Sequence, residues 1–321
     1  MEETIPTDPT LIYTNTTYPE PEESYYFWCE SPRNVIFIIF CVCTCICVCG
    51  LVGNAAVLWL LGFRMKRNPF TVYVLNLAVA DCSLLLILLA KFTLYFIAWV
   101  YCIDYRVFDL ANTILFFMYL FCYVAGMYLL TAMSVERCLA ALFPVWYRCH
   151  RPKHLSRTLC GMLWTLAALF LLLLILTSVF TESLEEVFSV LNIVNFLLFS
   201  FFPLLSNLAL FIKLRCGSQG RHPGKLYVAV LLSVLFLFFF GLPLTVSNFL
   251  LSSDKVSRAM SLLLVSLNSS INPLLYFLVG SCNQHRFQYS VKAAYQRLFE
   301  EEATSEERSQ VPEDAVMETS V

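Results

Sequence analysis

Glu136 and Arg137 stand side by side where a long apolar run, Leu110 to Leu130, meets a basic loop. A guanidinium at the mouth of an apolar helix is costly unless it snorkels to the interface, pairs or serves a purpose. Two further charges lie inside apolar runs. Asp81 is a carboxylate near the middle of the second run, where an unpaired charge is expensive and functional by default. Asn54, Asn268, Ser269 and Asn272 would join it in a hydrated polar cluster between the first, second and last runs. Lys91, further along the second run, is placed either to bind a ligand carboxylate or to pair with an acid such as Asp109. Enzyme chemistry finds no support. The four histidines, His150, His154, His222 and His285, all fall in loops or tail, and no ordered set of catalytic residues accompanies them.

The elements that must hold these groups are membrane helices. The chain has 321 residues, 59% hydrophobic and only 14% charged, where a soluble domain would carry about 25% charged residues. Seven apolar spans are each long enough for a hydrocarbon core of about 30 Å. They run at roughly 34–62, 70–99, 107–141, 158–180, 187–214, 225–251 and 257–280. The short connections carry Pro, Gly, Asn or charge, as turns between antiparallel helices do. The expected organisation is an outer tail over 1–33, an all-α transmembrane domain over 34–281, an amphipathic surface helix over 282–299 and a disordered acidic tail over 300–321. Residues 1–33 lack a positively charged start, so no cleavable signal peptide is expected.

Charge sets the orientation. Of the 21 Lys and Arg, sixteen fall on one side of the seven spans, and five (Arg33, Lys91, Arg106, Lys255 and Arg258) on the other. The positive-inside rule then puts the N-terminus outside and the C-terminus in the cytoplasm of a plasma-membrane protein. Asn15-Thr16-Thr17 becomes a usable glycosylation sequon. Cys41, Cys43, Cys45, Cys47 and Cys49 look like a metal comb, but alternate helical residues point about 200° apart. Only Cys41, Cys45 and Cys49 share a face, and they read as packing residues toward lipid, with no metal site expected.

The motifs resemble those of a rhodopsin-like G-protein-coupled receptor. Gly53-Asn54 and Asn76-Leu77-Ala78-Val79-Ala80-Asp81 are similar to that family's polar core. Glu136-Arg137-Cys138 resembles its Asp/Glu-Arg-Tyr triplet, and Asn272-Pro273-Leu274-Leu275-Tyr276 its Asn-Pro-x-x-Tyr. Trp164, Pro203 and Pro243 match its fourth-, fifth- and sixth-helix markers. The loops Leu61 to Phe70 and Phe143 to Ser156, with Gly241-Leu242-Pro243, resemble the Mas-related receptors.

The resemblance implies a seven-helix bundle with a surface eighth helix, an extracellular ligand and a heterotrimeric G protein of Gq or Gi type. Arg137, with Glu136, Pro144 and Tyr276, would form the coupling surface. Glu136 would neutralise Arg137 at rest, and movement of helix six would free it. Pro203, Pro243 and Pro273 locate bends, with Gly241 leaving space where relatives carry Trp. Pro223, in place of an acid, and Phe211, in place of a Tyr, imply a changed activation relay. The Asp81 cluster would hold a sodium ion or form a hydrogen-bonded packing core. Gly126, where relatives carry a hydroxyl, bears on that choice.

Outward acids, among them Asp109, Glu182, Glu185 and Glu186, favour a cationic ligand such as a basic peptide or small amine, and Lys91 stands against them. With Asn112 at the helix-three position, the family's usual bridge cannot form, and a Cys29–Cys102 disulfide over the bundle is expected instead. The C-terminal Thr319 and Val321 fit a PDZ domain, and Thr304, Ser305 and Ser309 would serve arrestin once phosphorylated. A transporter or channel is the alternative reading, and no nucleic-acid partner is expected.

Overall fold

The computed structural model describes residues 34–64, 69–101, 103–142, 147, 149–152, 154–180, 190–191, 193–201, 203–205, 208, 228, 231–236, 238–240 and 255–281. Helix α1 is Asn34–Trp59, closed by a π-helical turn at Leu60–Arg64. Then follow α2 (Pro69–Tyr101), α3 (Tyr105–Leu142) and α4 (Leu155–Phe180). Two shorter apolar helices, α5 (Ile193–Leu205) and α6 (Leu231–Phe240), precede α7 (Lys255–Ser281). Five of these, α1 to α4 and α7, are long and apolar enough to cross a membrane. They fall where the sequence places its first four spans and its seventh. The expected fifth and sixth spans are described only in part, and 1–33, 282–299 and 300–321 lie outside the described residues.

Local chemistry starts the helices where they start. Pro69 opens α2 at the position where a missing N–H costs nothing. Asp104 caps α3: its Oδ1 accepts the Arg106 N–H at 2.7 Å and its carbonyl accepts the Phe108 N–H at 3.0 Å.

Packing sorts the helices by depth. From Tyr119 to Leu130, α3 is buried on nearly every side, as befits an interior helix. It packs on α2 and α4, while α1 packs on α7 and α2. By contrast, α1 and α4 turn rows such as Val35, Ile38 and Val42, or Leu166, Leu169 and Leu173, to the surroundings. Apolar rows of that extent suit lipid, not water. The cysteine comb divides as expected: Cys43 and Cys47 are fully buried, while Cys41, Cys45 and Cys49 are exposed.

Helices α1 and α7 approach each other tightly at Gly50. A Cβ on Gly50 would lie 2.1 Å from Ser270 Oγ, 2.7 Å from Ser270 Cβ and 2.8 Å from Leu85 Cδ1. The Ser270 hydroxyl meanwhile donates to the Ile46 carbonyl at 3.2 Å. Gly50→Ala must therefore push the helices apart, and we expect it to lower stability by about 1–3 kcal/mol. Thermal unfolding of the purified variant checks this, with Gly50→Ala/Ser270→Gly recovering part of the loss. An unchanged melting temperature for Gly50→Ala would show that this contact is not tight.

Two helix-breaking prolines are accommodated in the same way. Pro273 has no N–H to give the Ser269 carbonyl one turn back, and Asn54 Nδ2 from α1 donates to that carbonyl at 3.0 Å. Pro203 likewise leaves the Phe199 carbonyl unpaired, inside the π-helical turn Leu197–Phe201. There the Thr131 hydroxyl of α3 supplies the hydrogen bond, at 2.6 Å. Each bend thus carries a polar residue of a neighbouring helix.

Candidate functional site: a polar centre and the Glu136 end of the bundle

The predicted polar cluster assembles. Asp81 is 5% exposed, and its Oδ2 accepts the Asn272 side-chain N–H at 2.8 Å, with Ser269 beside it. Asn54, Asn268, Ser269 and Asn272 are all buried. Asn54 Nδ2 also reaches the Gly50 carbonyl at 3.0 Å, so one amide links α1 to the bend of α7. Asn76 accepts the Trp164 indole N–H at 3.2 Å and ties α2 to α4. Tyr276, the last residue of the α7 motif, is buried. The oxygen donors of Asp81, Asn268 and Ser269 suit a hard cation, while Gly126 brings none from α3.

At the far end of α3, Glu136 meets residues that its motif does not include. The Glu136 carboxylate is engaged by the loop that follows: Arg151 Nη2 donates to Oε1, and the Tyr147 hydroxyl donates to the same oxygen at 2.9 Å. Arg151 also reaches Ser156 Oγ at the start of α4, and its guanidinium lies 5.2 Å over the Tyr147 ring. The side chains of Arg151 and Glu136 are only 7% and 9% exposed. Tyr73 of α2 is buried beside Glu136 and Ser156. So Glu136 has a partner other than the neighbouring Arg137 expected from the motif. Consecutive positions on a helix project about 100° apart, whereas positions three or four apart share a face. The loop residues approach Glu136 on its own face. The side chain of Arg137 lies outside the described residues, its backbone being in α3.

Sequence reasoning missed Arg151 and Tyr147 as partners of Glu136. They stand 15 and 11 residues downstream in a loop, where no helical spacing applies. The only signal was composition: a Tyr and an Arg in a basic loop directly after a motif acid.

Lys91 is 6% exposed on α2, with its ammonium 5.8 Å and 5.9 Å from the Phe116 and Tyr119 ring centroids of α3. Asp109 is exposed, and among the described residues Lys91 pairs with no carboxylate. The alternative of a Lys91–Asp109 pair is thereby corrected, because Asp109 turns to the surface while Lys91 turns into the α2–α3 seam. Several predicted site residues lie outside the described ones: Asn15, Cys29, Cys102, Pro144, Glu182, Glu185, Glu186, Gly241, Pro243, Thr319 and Val321. So do Phe211, Pro223, Thr304, Ser305 and Ser309.

Residues 53–276 match the family model of the seven-transmembrane receptors of the rhodopsin family. Curated relatives agree along most of the chain. Proto-oncogene Mas of Rattus norvegicus is 37% identical over 281 residues, covering 83% of this chain and 84% of its own. Mas-related G-protein coupled receptor member D of Rattus norvegicus is 40% identical over 313 residues, covering 92% and 97%. Mas-related G-protein coupled receptor member X2 of Rhinopithecus bieti is 39% identical over 319 residues, covering 93% of each. The family is one of receptors, not enzymes, transporters or channels. With its apolar helices, buried Asp81–Asn272 centre and Pro273 inside α7, this chain is a multi-pass membrane protein that belongs to the rhodopsin family of G-protein-coupled receptors, on the Mas-related side.

Proposed function

We propose that this receptor binds a cationic extracellular ligand, a basic peptide or small amine, and activates a Gq- or Gi-type heterotrimeric G protein as helix six moves outward. The observation that carries the reading is the cluster around Glu136. Arg151 and Tyr147 both engage Oε1 of its carboxylate, so in this reading Glu136 is shared and Arg137 is the more readily released to the G protein. On the same reading, Pro144 and Tyr276 also contribute to coupling. In this reading the N-terminus is outside, the C-terminus cytoplasmic and the receptor at the plasma membrane, as the distribution of Lys and Arg favours.

The test is a calcium and cyclic-AMP assay in cells, screening basic peptides and amines against the wild type and Arg137→Ala. The expected result is a ligand-evoked response that Arg137→Ala reduces at least about tenfold, equivalent to about 1.4 kcal/mol of coupling. A full response from Arg137→Ala at equal surface expression removes Arg137 from the coupling role.

The remaining assignments belong to the same proposal. A sodium ion at Asp81, with Asn54, Asn268, Ser269 and Asn272 around it, favours the resting state. Replacing sodium by choline then raises basal signalling in the wild type but not in Asp81→Asn, and equal effects on both would exclude the ion. Asn15 carries a glycan, and Cys29 is bridged to Cys102, which non-reducing mass spectrometry reads directly through the presence or absence of free thiols. Arrestin recognises the phosphorylated tail at Thr304, Ser305 and Ser309. A PDZ protein takes Thr319 and Val321, and C-terminal amidation abolishes that capture.

A further inference from the structure

We infer that Lys91 anchors an anion-binding subsite inside the bundle, and that the ligand of this receptor presents a carboxylate to it. The inference rests on the receptor reading above and adds a second group to the ligand.

Lys91 lies ten residues before Tyr101, the end of α2, which places it about 15 Å down the helix at 1.5 Å per residue. A cation at that depth and 6% exposed must be neutralised, hydrated or otherwise stabilised. What the described residues bring near it is a pair of aromatic rings. The Phe116 and Tyr119 rings of α3 stand 5.8 Å and 5.9 Å away, near the outer limit for a cation–π contact. No acid among the described residues pairs with Lys91.

An isolated structural lysine would sit beside a carboxylate. Among the described residues this one meets no carboxylate and faces two rings suited to an apolar or aromatic body. The complement is an anion joined to such a body. A single carboxylate fits one deep ammonium. The arrangement is compatible with a cationic ligand. Exposed Asp109, near the start of α3, receives positive charge at the rim, while the free C-terminal carboxylate of a basic peptide reaches Lys91.

The experiment uses the full-length receptor, purified in lipid nanodiscs, with thermal unfolding as readout. The probes are phenylpropionate, its uncharged amide and phenylpropylamine, each at millimolar concentration. A compound that binds only the folded state raises the melting temperature in proportion to its occupancy. The expected result is a concentration-dependent rise with phenylpropionate and none with the amide. Lys91→Met loses the rise and Lys91→Arg retains it. Lys91→Met without any probe melts above the wild type, because a buried charge with no carboxylate beside it among the described residues is removed. Arg137→Ala keeps the full phenylpropionate response, which separates anion binding from G-protein coupling. The inference is overturned if acid and amide act alike, if Lys91→Met keeps the response, or if the acid has no effect on the wild type. It is also overturned if Lys91→Met melts below the wild type without probe, the mark of a lysine that holds the fold through an ion pair. None of these outcomes touches the coupling assay with Arg137→Ala, so the receptor reading stands or falls separately.

Discussion

Arg151→Met lowers the stability of the receptor by about 3–5 kcal/mol, the cost of removing one partner from a buried ion pair. Both side chains of the pair are more than nine-tenths buried, so water cannot replace the lost guanidinium. Glu136 is left with the Tyr147 hydroxyl as its described partner, and one neutral donor does not offset a buried charge. Ser156 loses its contact as well, and the Tyr147 ring loses the plane stacked on it. Lysine is not an adequate substitute: a single ammonium cannot stack on Tyr147 while reaching Glu136 and Ser156. The companion variant decides the mechanism. Arg151→Met combined with Glu136→Gln has no unpaired charge and recovers most of the loss, giving a coupling energy well above the error of a double-mutant cycle. Thermal unfolding of the four receptors in detergent measures it. A small loss in Arg151→Met, joined to a drop in basal signalling, would mean instead that Arg137 takes over the carboxylate.

That pair also marks where reading the sequence stops. The helices α1 to α4 and α7 are legible because an apolar run of membrane length allows few alternatives: backbone polar groups in lipid must bond within the segment. Asp81 and Asn272 are legible as partners because each is polar inside an apolar run, and the bundle brings the middles of its helices together. Glu136 is legible as a site, but its partner is not. A helix fixes neighbours three and four residues away, whereas Arg151 reaches Glu136 only through the path of a loop. Lys91 shows the opposite limit. The sequence supplies a buried cation and an acid within plausible reach, and only the structure shows Asp109 facing outward while Lys91 meets Phe116 and Tyr119.

The prolines are legible as bends but not as supported bends. In sequence, Pro273 and Pro203 each cost a backbone hydrogen bond. In the fold, each orphaned carbonyl has a donor from another helix, Asn54 for Ser269 and Thr131 for Phe199. Shape and polar pairing are thereby linked: α7 keeps its bend only while α1 supplies the amide, and α5 keeps its π-helical turn against α3. A receptor that signals by moving helices needs bends that hold in one state without becoming unstable in another. A side-chain donor meets that need, because it breaks and re-forms without unwinding a turn.

Asn54→Ala therefore destabilises the α1–α7 contact by about 1–3 kcal/mol for the buried carbonyl left unpaired, with the loss of a fully enclosed side chain added to it. The sharper test pairs it with Pro273→Ala. Alanine at 273 restores an N–H one turn after Ser269, so the carbonyl is satisfied within α7 and no longer needs Asn54. The double variant should then be more stable than Asn54→Ala alone, with a coupling of the order of 1 kcal/mol, the upper part of the range measured between membrane helices. Signalling should not follow stability. Straightening α7 moves Asn272 away from Asp81 and shifts Tyr276 at the end of the motif, so the double variant unfolds later than Asn54→Ala yet responds no better to ligand. Thermal unfolding and the calcium assay on the same four receptors separate the two effects. If Pro273→Ala rescues neither property, Asn54 is needed for Asp81 and not for the bend. If it rescues both, the bend itself has no part in activation.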